Sequence, residues 1–149
     1  MKNPVVIVGA GPSGLAVAGC LIRRGLEPVV LERADRVGSR WHEHYERLHL
    51  HTARIFSSLP GHAMPRDWPM YVPRARFADY LGDSARVLGV RARPAVSVET
   101  LRRTPDGWDV VCAGEVFSAR AVVVATGYNH TPHVPAFPHQ DEFGHPIVH

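Results

Sequence analysis

The sequence predicts an α/β fold in which a parallel sheet is combined with a small antiparallel β-meander. Two continuous apolar runs, residues 5–8 and 121–125, are typical of parallel strands that are covered on both faces. Between them, residues 95–118 alternate in the manner of strands and are interrupted by turn residues at 105–107 and 113–114, which favours an antiparallel meander. We expect helices on one face of the parallel sheet and the meander on the other.

The first strand leads into a glycine-rich turn and a helix. Gly9, Gly11 and Gly14 fit the pattern G-x-G-x-x-G. In that pattern the first glycine permits a tight turn, the second lets backbone approach a pyrophosphate, and the third lets the helix pack closely on the strand. Pro12 suits the first helical turn, where no backbone N–H is required, and we expect the helix to extend over about residues 13–24.

The N-terminus of this helix is a predicted phosphate site, because its unpaired N–H groups and the positive end of its dipole point at the turn. For Pro12 and Ser13 the alternative is simple helix capping, which uses the same N–H groups. A second buried strand ends on Glu32, roughly 20 residues after the motif, where a carboxylate can accept both hydroxyls of an adenosine ribose. The motif, its strand–helix context and this acid predict dinucleotide binding by a Rossmann-like domain.

The rest of the chain contains a long irregular segment, a helix and an extended tail. Residues 33–74 are rich in aromatic residues and histidine and have mixed periodicity; long irregular segments inside compact domains are usually functional. Residues 74–88 predict a helix with Phe77 and Leu81 on its apolar face. The proline-containing tail, residues 132–146, is expected to be extended.

Composition restricts the function classes. At 149 residues the chain has the size of one domain, and a formal charge of +3 with scattered arginines argues against a nucleic-acid surface. There is no long apolar run and no signal-peptide pattern. The two cysteines, Cys20 and Cys112, make no C-x-x-C. We therefore expect a cytoplasmic protein with no nucleic-acid partner, no membrane partner and no dithiol redox centre.

A His-rich run at residues 42–51 is a candidate metal site. His42 and His44, or His49 and His51, would share one face of a strand. No Cys or acid completes a ligand set at typical spacing, so we predict no metal site.

Four separated segments resemble the FAD-containing, NADPH-dependent monooxygenases related to flavin-containing monooxygenases and plant indole-pyruvate monooxygenases. The first is the strand–turn–helix–strand unit described above. The second, residues 37–41 (VGSRW), resembles the family's G-G-x-W or G-S-x-W turn beside the flavin. The third, residues 45–60 with the run LHLHT, is similar to its L-x-L-H-T or L-K-L-H stretch. The fourth, residues 122–129 (VVVATGYN) followed by Pro132 and Pro135, resembles its A-T-G-x-x-x-x-P-x-x-P segment.

The resemblance implies FAD as the bound cofactor, NADPH as the reductant, and O2 and a small organic molecule as substrates. The implied cofactor-binding residues are Gly9, Gly11, Pro12, Ser13, Gly14, Glu32, Arg33, Arg40, Trp41, Val96, Thr126 and Gly127. By resemblance, backbone at Val96 contacts adenine, and Thr126 with Gly127 helps close the pyrophosphate site. Arg40 and Trp41 would lie near the ribityl chain and the isoalloxazine; the alternatives are a solvated charge and a core aromatic.

The resemblance also implies two catalytic candidates, His51 and Thr52. His51 falls where relatives place Asn or His near the flavin, before a basic residue, here Arg54. In this class NADPH reduces FAD, oxygen adds at flavin C4a, and the hydroperoxide transfers an oxygen atom to the substrate. A hydrogen-bonding residue at this point would stabilise the peroxide. For His51 the alternative is a structural histidine bonded to backbone.

The sequence departs from the family pattern at its C-terminal end. The F-x-G-x-x-x-H signature corresponds to residues 143–149 (FGHPIVH), in which His145 stands at the glycine position. A second G-x-G-x-x-G domain for NADPH is absent from the 149 residues. We expect residues 1–149 to be the N-terminal part of an incomplete FAD-binding domain, inactive alone, with a complementing C-terminal half or a second copy in a homodimer as its partner.

Two other functions stay open. One is a different two-dinucleotide flavoprotein oxidoreductase, such as a flavin reductase; a disulfide reductase is disfavoured by the missing C-x-x-C. The other is a non-catalytic FAD-binding fragment.

Overall fold

The computed structural model describes residues 3–128, 133 and 135–146 of the chain. In chain order the elements of the first half are β1 (Val5–Val8), α1 (Pro12–Ile22), β2 (Val29–Leu31), α2 (Ser39–Glu43), α3 (Arg54–Ser57) and α4 (Arg74–Val87). They are followed by β3 (Ala92–Arg93), β4 (Val98–Thr104), β5 (Gly107–Cys112), β6 (Glu115–Ala119), β7 (Ala121–Val124) and a short 3₁₀ helix at Gln140–Glu142.

A parallel sheet with the strand order β3-β2-β1-β7 forms the centre of the fold. Residues 6–8 of β1 pair with residues 29–31 of β2, and residues 5–8 pair with residues 121–124 of β7. The two apolar runs are therefore neighbours, which confirms the predicted parallel sheet. Strand β3 was not predicted, because a two-residue strand that pairs only with the end of β2 has no periodicity of its own.

Strands β4, β5 and β6 form the predicted antiparallel meander. Its turns fall at residues 105–106 and 113–114, inside the turns expected from the sequence. The first strand begins at Val98 rather than at Val96, because the backbone N–H of Val96 donates to the carbonyl oxygen of Glu32 at 2.9 Å instead of joining the meander.

Alternate residues of β1 belong to two different hydrophobic clusters. Ile7 shares the larger cluster with Leu15 of α1 and Leu81 of α4, whereas Val6 shares the smaller one with Val110 of β5. Neither Val6 nor Ile7 has exposed surface, as expected for a strand covered on both faces. Helices therefore cover one face of the sheet and the meander covers the other, as the sequence predicted.

The segment predicted to be irregular is fixed by backbone pairing and contains the two short helices α2 and α3. The N–H of Leu50 donates to the carbonyl of Val72 at 2.9 Å, and the N–H of Arg74 donates to the carbonyl of Leu48 at 2.8 Å. These bonds tie the LHLHT run to the start of α4, so the run is held by tertiary structure.

Helix α4 confirms the helix expected over residues 74–88 and buries Phe77 and Leu81. It also holds the loop that follows α3. The Tyr80 hydroxyl accepts the buried N–H of Leu59 at 2.6 Å and donates to the carbonyl of His62 at 2.5 Å. The imidazole of His62 stacks on the Tyr80 ring, with the centroids 5.0 Å apart.

Candidate dinucleotide-binding cleft

The cleft lies at the edge of the parallel sheet where the strands end. The N–H of Gly9 donates to the carbonyl of Leu31 at 2.7 Å, and the N–H of Ala125 donates to the carbonyl of Val8 at 2.8 Å. These bonds hold the ends of β1, β2 and β7 together beside a cavity of about 1300 Å³. Because ligands of open parallel sheets bind outside the carboxyl ends of the strands, this cleft is the candidate functional site.

All the predicted site residues except Gly14 line the cleft. They are Gly9, Gly11, Pro12, Ser13, Glu32, Arg33, Arg40, Trp41, His51, Thr52, Val96, Thr126 and Gly127. The fold therefore brings these residues from distant parts of the chain to one cavity. The role of each toward a ligand stays a prediction.

Gly9 and Gly14 are required by close backbone packing. Gly9 has a φ of +105°, and a Cβ at this position would lie 2.5 Å from the carbonyl oxygen of Ala125. A Cβ on Gly14 would lie 1.9 Å from the carbonyl oxygen of Gly9. Gly14 is buried beneath the cleft rather than in its wall, in keeping with the packing role expected of the third glycine.

Gly11, unlike Gly9 and Gly14, is not required by close backbone packing. Its backbone is extended, with φ −79° and ψ −173°, and a Cβ there would meet no atom within 4 Å. Helix α1 begins next to it at Pro12, without a side-chain cap and without an acid in the first turn. The N-terminus of α1 thus opens into the cleft with no side chain competing for its N–H groups, which is the arrangement that binds anions.

The carboxylate of Glu32 is held by backbone donors at the wall of the cleft. One oxygen, Oε2, accepts the N–H of Ala10 at 2.7 Å, and the other, Oε1, accepts the N–H of Ala34 at 2.9 Å. A carboxylate has about four acceptor positions, so both oxygens keep acceptor capacity toward the cleft. Beside Glu32, the Arg33 side chain is exposed and Val96 is half-buried.

Helix α2 places a small polar network in the same wall. The Ser39 hydroxyl donates to Oε1 of Glu43 at 3.0 Å, and Nη1 of Arg40 lies 2.9 Å from Oε2 of the same carboxylate. The hydrogen bond from Ser39, followed by that from Arg40, holds the pKa of Glu43 below its ordinary value. Arg40 is exposed and ion-paired with Glu43, so the pair brings one positive and one negative group to the cleft wall.

Trp41 belongs both to the core and to the cleft. Its ring meets Phe77 edge-on, with centroids 4.4 Å apart, and His44 edge-on at 5.5 Å. The half-buried indole packs against the larger hydrophobic cluster and also lines the cavity. The core and the cofactor-wall interpretations of Trp41 are therefore compatible.

His51 and Thr52 lie exposed at the rim of the cleft. The Thr52 hydroxyl is 2.6 Å from the Ser57 hydroxyl at the end of α3. The neighbouring His49 bonds through Nδ1 to the carbonyl of Arg47 at 2.8 Å, but within the described residues His51 makes no such backbone bond. The ring of His51 is accordingly free to hydrogen-bond a ligand.

Sequence reasoning missed several wall residues. They are Ser39, Glu43, His44, Tyr45, Ser97 and Tyr128. Tyr45 and Tyr128 are 65% and 88% exposed, and both fall inside segments that carry the family resemblance. Their place beside recognised motif residues was the signal that could have identified them.

Asn129 and Pro132 of the fourth segment and residues 147–149 of the C-terminal signature lie outside the described residues. Phe143 is exposed and meets His145 edge-on at 5.7 Å. Over residues 3–128, 133 and 135–146, no group of three or more His, Cys, Asp or Glu side chains is placed to hold a metal ion. Within the same ranges, no helix has the length and apolarity needed to span a bilayer.

Comparison with known proteins identifies the family. The family model described as pyridine nucleotide-disulphide oxidoreductase matches residues 6–149. The chain belongs to this family. The matched region includes all the residues that line the cleft.

Plant indole-3-pyruvate monooxygenases are among the curated relatives of this chain. Indole-3-pyruvate monooxygenase YUCCA1 of Oryza sativa subsp. japonica is 43% identical over 148 residues, which are 97% of this chain and 36% of the relative. Indole-3-pyruvate monooxygenase YUCCA6 of Arabidopsis thaliana is 41% identical over 145 residues, with 93% and 35% covered. The chain thus spans about a third of the length of these relatives.

Solved structures support the same resemblance. A flavin-containing monooxygenase from Stenotrophomonas maltophilia is 31% identical with a TM-score of 0.81, over 92% of this chain and 42% of that protein. Bacillithiol disulfide reductase from Bacillus cereus has a TM-score of 0.84 at 24% identity, over 97% of this chain and 45% of that protein; at this identity it supports the fold alone. The predicted α/β flavoprotein fold and the resemblance to flavin monooxygenases are confirmed.

Proposed function

We propose that this chain is the FAD-binding portion of an NADPH- and O2-dependent flavin monooxygenase that oxygenates a small organic molecule. The observation that carries the proposal is the cleft, where the G-x-G-x-x-G turn, the acid Glu32 and the Trp41 wall meet. Relatives that align over nearly the whole chain are named as monooxygenases, and a similar solved structure is a flavin-containing monooxygenase.

The pyrophosphate would be held at the N-terminus of α1. Gly11 leaves open space where any other residue would carry a Cβ, so the negatively charged phosphates can approach the backbone closely. The first-turn N–H groups next to Pro12 and Ser13 would donate to the phosphate oxygens, and the helix dipole favours their charge. Thr126 and Gly127 would close this site from the end of β7.

The adenosine ribose would bind at Glu32. Its two oxygens are oriented by Ala10 and Ala34, and their remaining lone pairs would accept the ribose hydroxyls. Arg33 would lie beside the ribose, and the backbone at Val96 would contact the adenine. These assignments use only groups that already line the cleft.

The flavin ring would lie toward Trp41 and the rim that carries His51 and Thr52. Bound FAD would supply two-electron redox chemistry and the activation of O2. The imidazole of His51 would donate a hydrogen bond beside the flavin, with Thr52 as a second donor. Trp41 would exclude water from the ring, and Arg40 would stabilise negative charge near the ribityl chain.

NADPH would bind outside this cleft, in polypeptide that corresponds to the part of the relatives not covered here. That polypeptide would be a continuation of the chain, a complementing C-terminal half or a second copy in a homodimer. The proposal includes a small-molecule substrate, O2 and a cytoplasmic location. Residues 1–149 alone are then expected to bind FAD without turning over NADPH.

A disulfide reductase is the second function suggested by the family description. Cys20 and Cys112 are both free and provide no C-x-x-C, which favours the monooxygenase. A non-catalytic FAD-binding fragment would use the same cofactor site. It would differ from the monooxygenase in that no NADPH is oxidised when the complementing polypeptide is supplied.

Titration of the purified chain with FAD tests the proposal, with flavin fluorescence quenching as the measurement. The Glu32→Ala variant loses charge-assisted hydrogen bonds worth about 1.5–3 kcal/mol, so its Kd should rise about 10- to 150-fold. Glu27→Ala, which removes an exposed acid from a loop before β2, is the matched control and should bind as the wild type does. Failure of the wild-type chain to bind FAD, or equal affinity of all three proteins, would contradict the site.

A further inference from the structure

The wall of the dinucleotide cleft contains an acid that has no assigned part in cofactor binding. In the part of the chain that the structure describes, the carboxylates and guanidinium groups that line the cleft belong to Glu32, Glu43, Arg33 and Arg40. Glu32 is assigned to the ribose hydroxyls, whereas Glu43 would face a cofactor that is itself an anion. Because like charges repel, a carboxylate at this place weakens the binding of an anion unless a cation compensates it.

The carboxylate of Glu43 is held in one orientation by two neighbours on α2. Its Oε1 accepts the Ser39 hydroxyl at 3.0 Å, and its Oε2 lies 2.9 Å from Nη1 of Arg40. The hydrogen bond from Ser39, then that from Arg40 and, to a smaller extent, the charge of Arg33 hold the pKa of Glu43 below its ordinary value. Glu43 is therefore ionised at neutral pH and compensates the charge of Arg40.

Helix α2 is anchored next to the turn that would hold the pyrophosphate. The N–H of Gly38, directly before α2, donates to the carbonyl of Ala10 at 3.1 Å, and Ala10 lies within the G-x-G-x-x-G turn. Near the other end of the helix, Nη1 of Arg74 donates to two backbone carbonyls of α2. The backbone of Arg40 thus has a fixed position close to the turn, so a change of partner by Arg40 requires movement of its side chain alone.

We propose that Glu43 is a counter-ion that holds the guanidinium of Arg40 before FAD binds and gives it up to the pyrophosphate when FAD enters the cleft. This role rests on the FAD site proposed above. The side chains of Arg40 and Glu43 are 56% and 55% exposed, and exposed ion pairs contribute little stability, so the exchange of partners costs little. The planar guanidinium matches phosphate oxygens as well as it matches carboxylate oxygens.

Glu43 then lowers the affinity for FAD in two ways. Its charge repels the phosphates, and its bond with Arg40 must break before Arg40 can pair with them. Glu43 is therefore a positioning residue, because it acts on the cofactor through Arg40 and sets how strongly the cleft attracts anions. An ion pair that only stabilised α2 would behave differently, since loss of either partner would loosen the helix and weaken FAD binding.

Two charge-removing variants separate these cases, with FAD titration of the 149-residue chain at low salt, followed by flavin fluorescence quenching, as the measurement. Glu43→Gln keeps an oxygen that accepts the Ser39 hydroxyl, and its Kd for FAD should fall about 2- to 5-fold, the size of effect typical of exposed charge pairs. Arg40→Gln should raise the Kd by about the same factor. When Glu43→Gln is added to Arg40→Gln, the gain should be smaller, because only the repulsion is removed. At about 1 M salt, where the Debye length is about 3 Å, both effects should shrink.

The matched control is Glu46→Gln, which removes the same charge from an exposed acid that does not line the cleft and should leave the Kd unchanged. Changes of the same sign in Glu43→Gln and Arg40→Gln, an unchanged Kd in Glu43→Gln, or an equal gain with and without Arg40 would each overturn the exchange. A wild-type chain that binds no FAD would contradict the proposed function as well. Wild-type FAD binding together with an unaffected Glu43→Gln variant would overturn the role of Glu43 alone.

Discussion

Two glycine-to-alanine substitutions in the G-x-G-x-x-G motif, with a third in α4 as the control, separate folding from cofactor binding. Gly14→Ala places a Cβ 1.9 Å from the carbonyl oxygen of Gly9. The obstructing atom belongs to the backbone, so no side-chain rotation relieves the clash and α1 must move away from β1. Overpacking of this kind costs about 1–3 kcal/mol. At about 2–4 °C per kcal/mol for a chain of this size, the melting temperature should fall by about 2–12 °C.

Gly11→Ala should weaken FAD binding and leave the stability of the chain almost unchanged. The new Cβ meets no protein atom within 4 Å, and the extended backbone at Gly11 accepts any residue, so the melting temperature should change little. The methyl group would occupy the space in which the pyrophosphate approaches the N-terminus of α1. Loss of one charge-assisted hydrogen bond to phosphate, about 1.5–3 kcal/mol, would weaken FAD binding about 10- to 150-fold.

Gly82→Ala is the control, because Gly82 is exposed within α4 and a Cβ there also meets nothing within 4 Å. Removing a helical glycine should stabilise the chain by about 0.5–1 kcal/mol without affecting FAD. Thermal unfolding followed by circular dichroism and FAD titration provide the two measurements. The reasoning is refuted if Gly14→Ala melts as the wild type does, or if Gly11→Ala binds FAD with wild-type affinity.

Two further predictions concern the network of Glu43 and the loop held by α4. Because Ser39 and Arg40 hold the pKa of Glu43 below its ordinary value, the ionised carboxylate stabilises the fold above an ordinary carboxyl pKa of about 4.3, and this contribution is lost as pH falls through the lowered pKa. Ser39→Ala should therefore reduce the drop in urea midpoint between about pH 6 and pH 3; an unchanged drop would remove Ser39 from this role. Tyr80→Phe leaves the buried N–H of Leu59 without its acceptor and should lower the free energy of unfolding by about 1–3 kcal/mol, measured by urea denaturation. Tyr71→Phe, at an exposed tyrosine, should have no effect, and equal stability of the two variants would argue against the Tyr80 bond.

The elements of the fold that were predicted correctly are those that a local sequence pattern indicates. Strands β1 and β7 are apolar runs, α1 follows a glycine motif, and the meander has turn residues between alternating segments. Strand β3 and helices α2 and α3 depend instead on tertiary partners. Helix α2, for example, is preceded by its N-cap Gly38, which has a φ of +67° and packs under Leu81 of α4. No pattern of two to five residues predicts such an element by itself.

The residues of the cleft also divide into those that a local sequence pattern indicates and those whose position depends on tertiary structure. Its motif residues were predicted because a turn, a helix start and a strand end have fixed geometric relations. Ser39 and Glu43 were missed because the hydrogen bond between them depends on α2, which the sequence did not predict. Arg40 and Trp41 of the same helix were named only through the family resemblance. The sequence shows Arg54 only as a basic residue after His51, and the burial of its Nε without an acceptor becomes visible only when the neighbouring chain segments are in place.

Glu32 shows what the structure adds to a prediction made from the sequence. The sequence predicts an acid at the ribose position, but the structure gives each carboxylate oxygen a backbone donor, from Ala10 and from Ala34. Those donors keep the side chain oriented before any ligand arrives, so less rotamer entropy is lost on binding. They also mean that Glu32→Ala leaves two N–H groups without an acceptor, one of them on the fully buried Ala10. The effect of Glu32→Ala on FAD affinity must therefore be compared with its effect on the unfolding of the free chain. An unfolded fraction by itself lowers the apparent affinity, and only the loss beyond that amount would be assigned to the ribose contact.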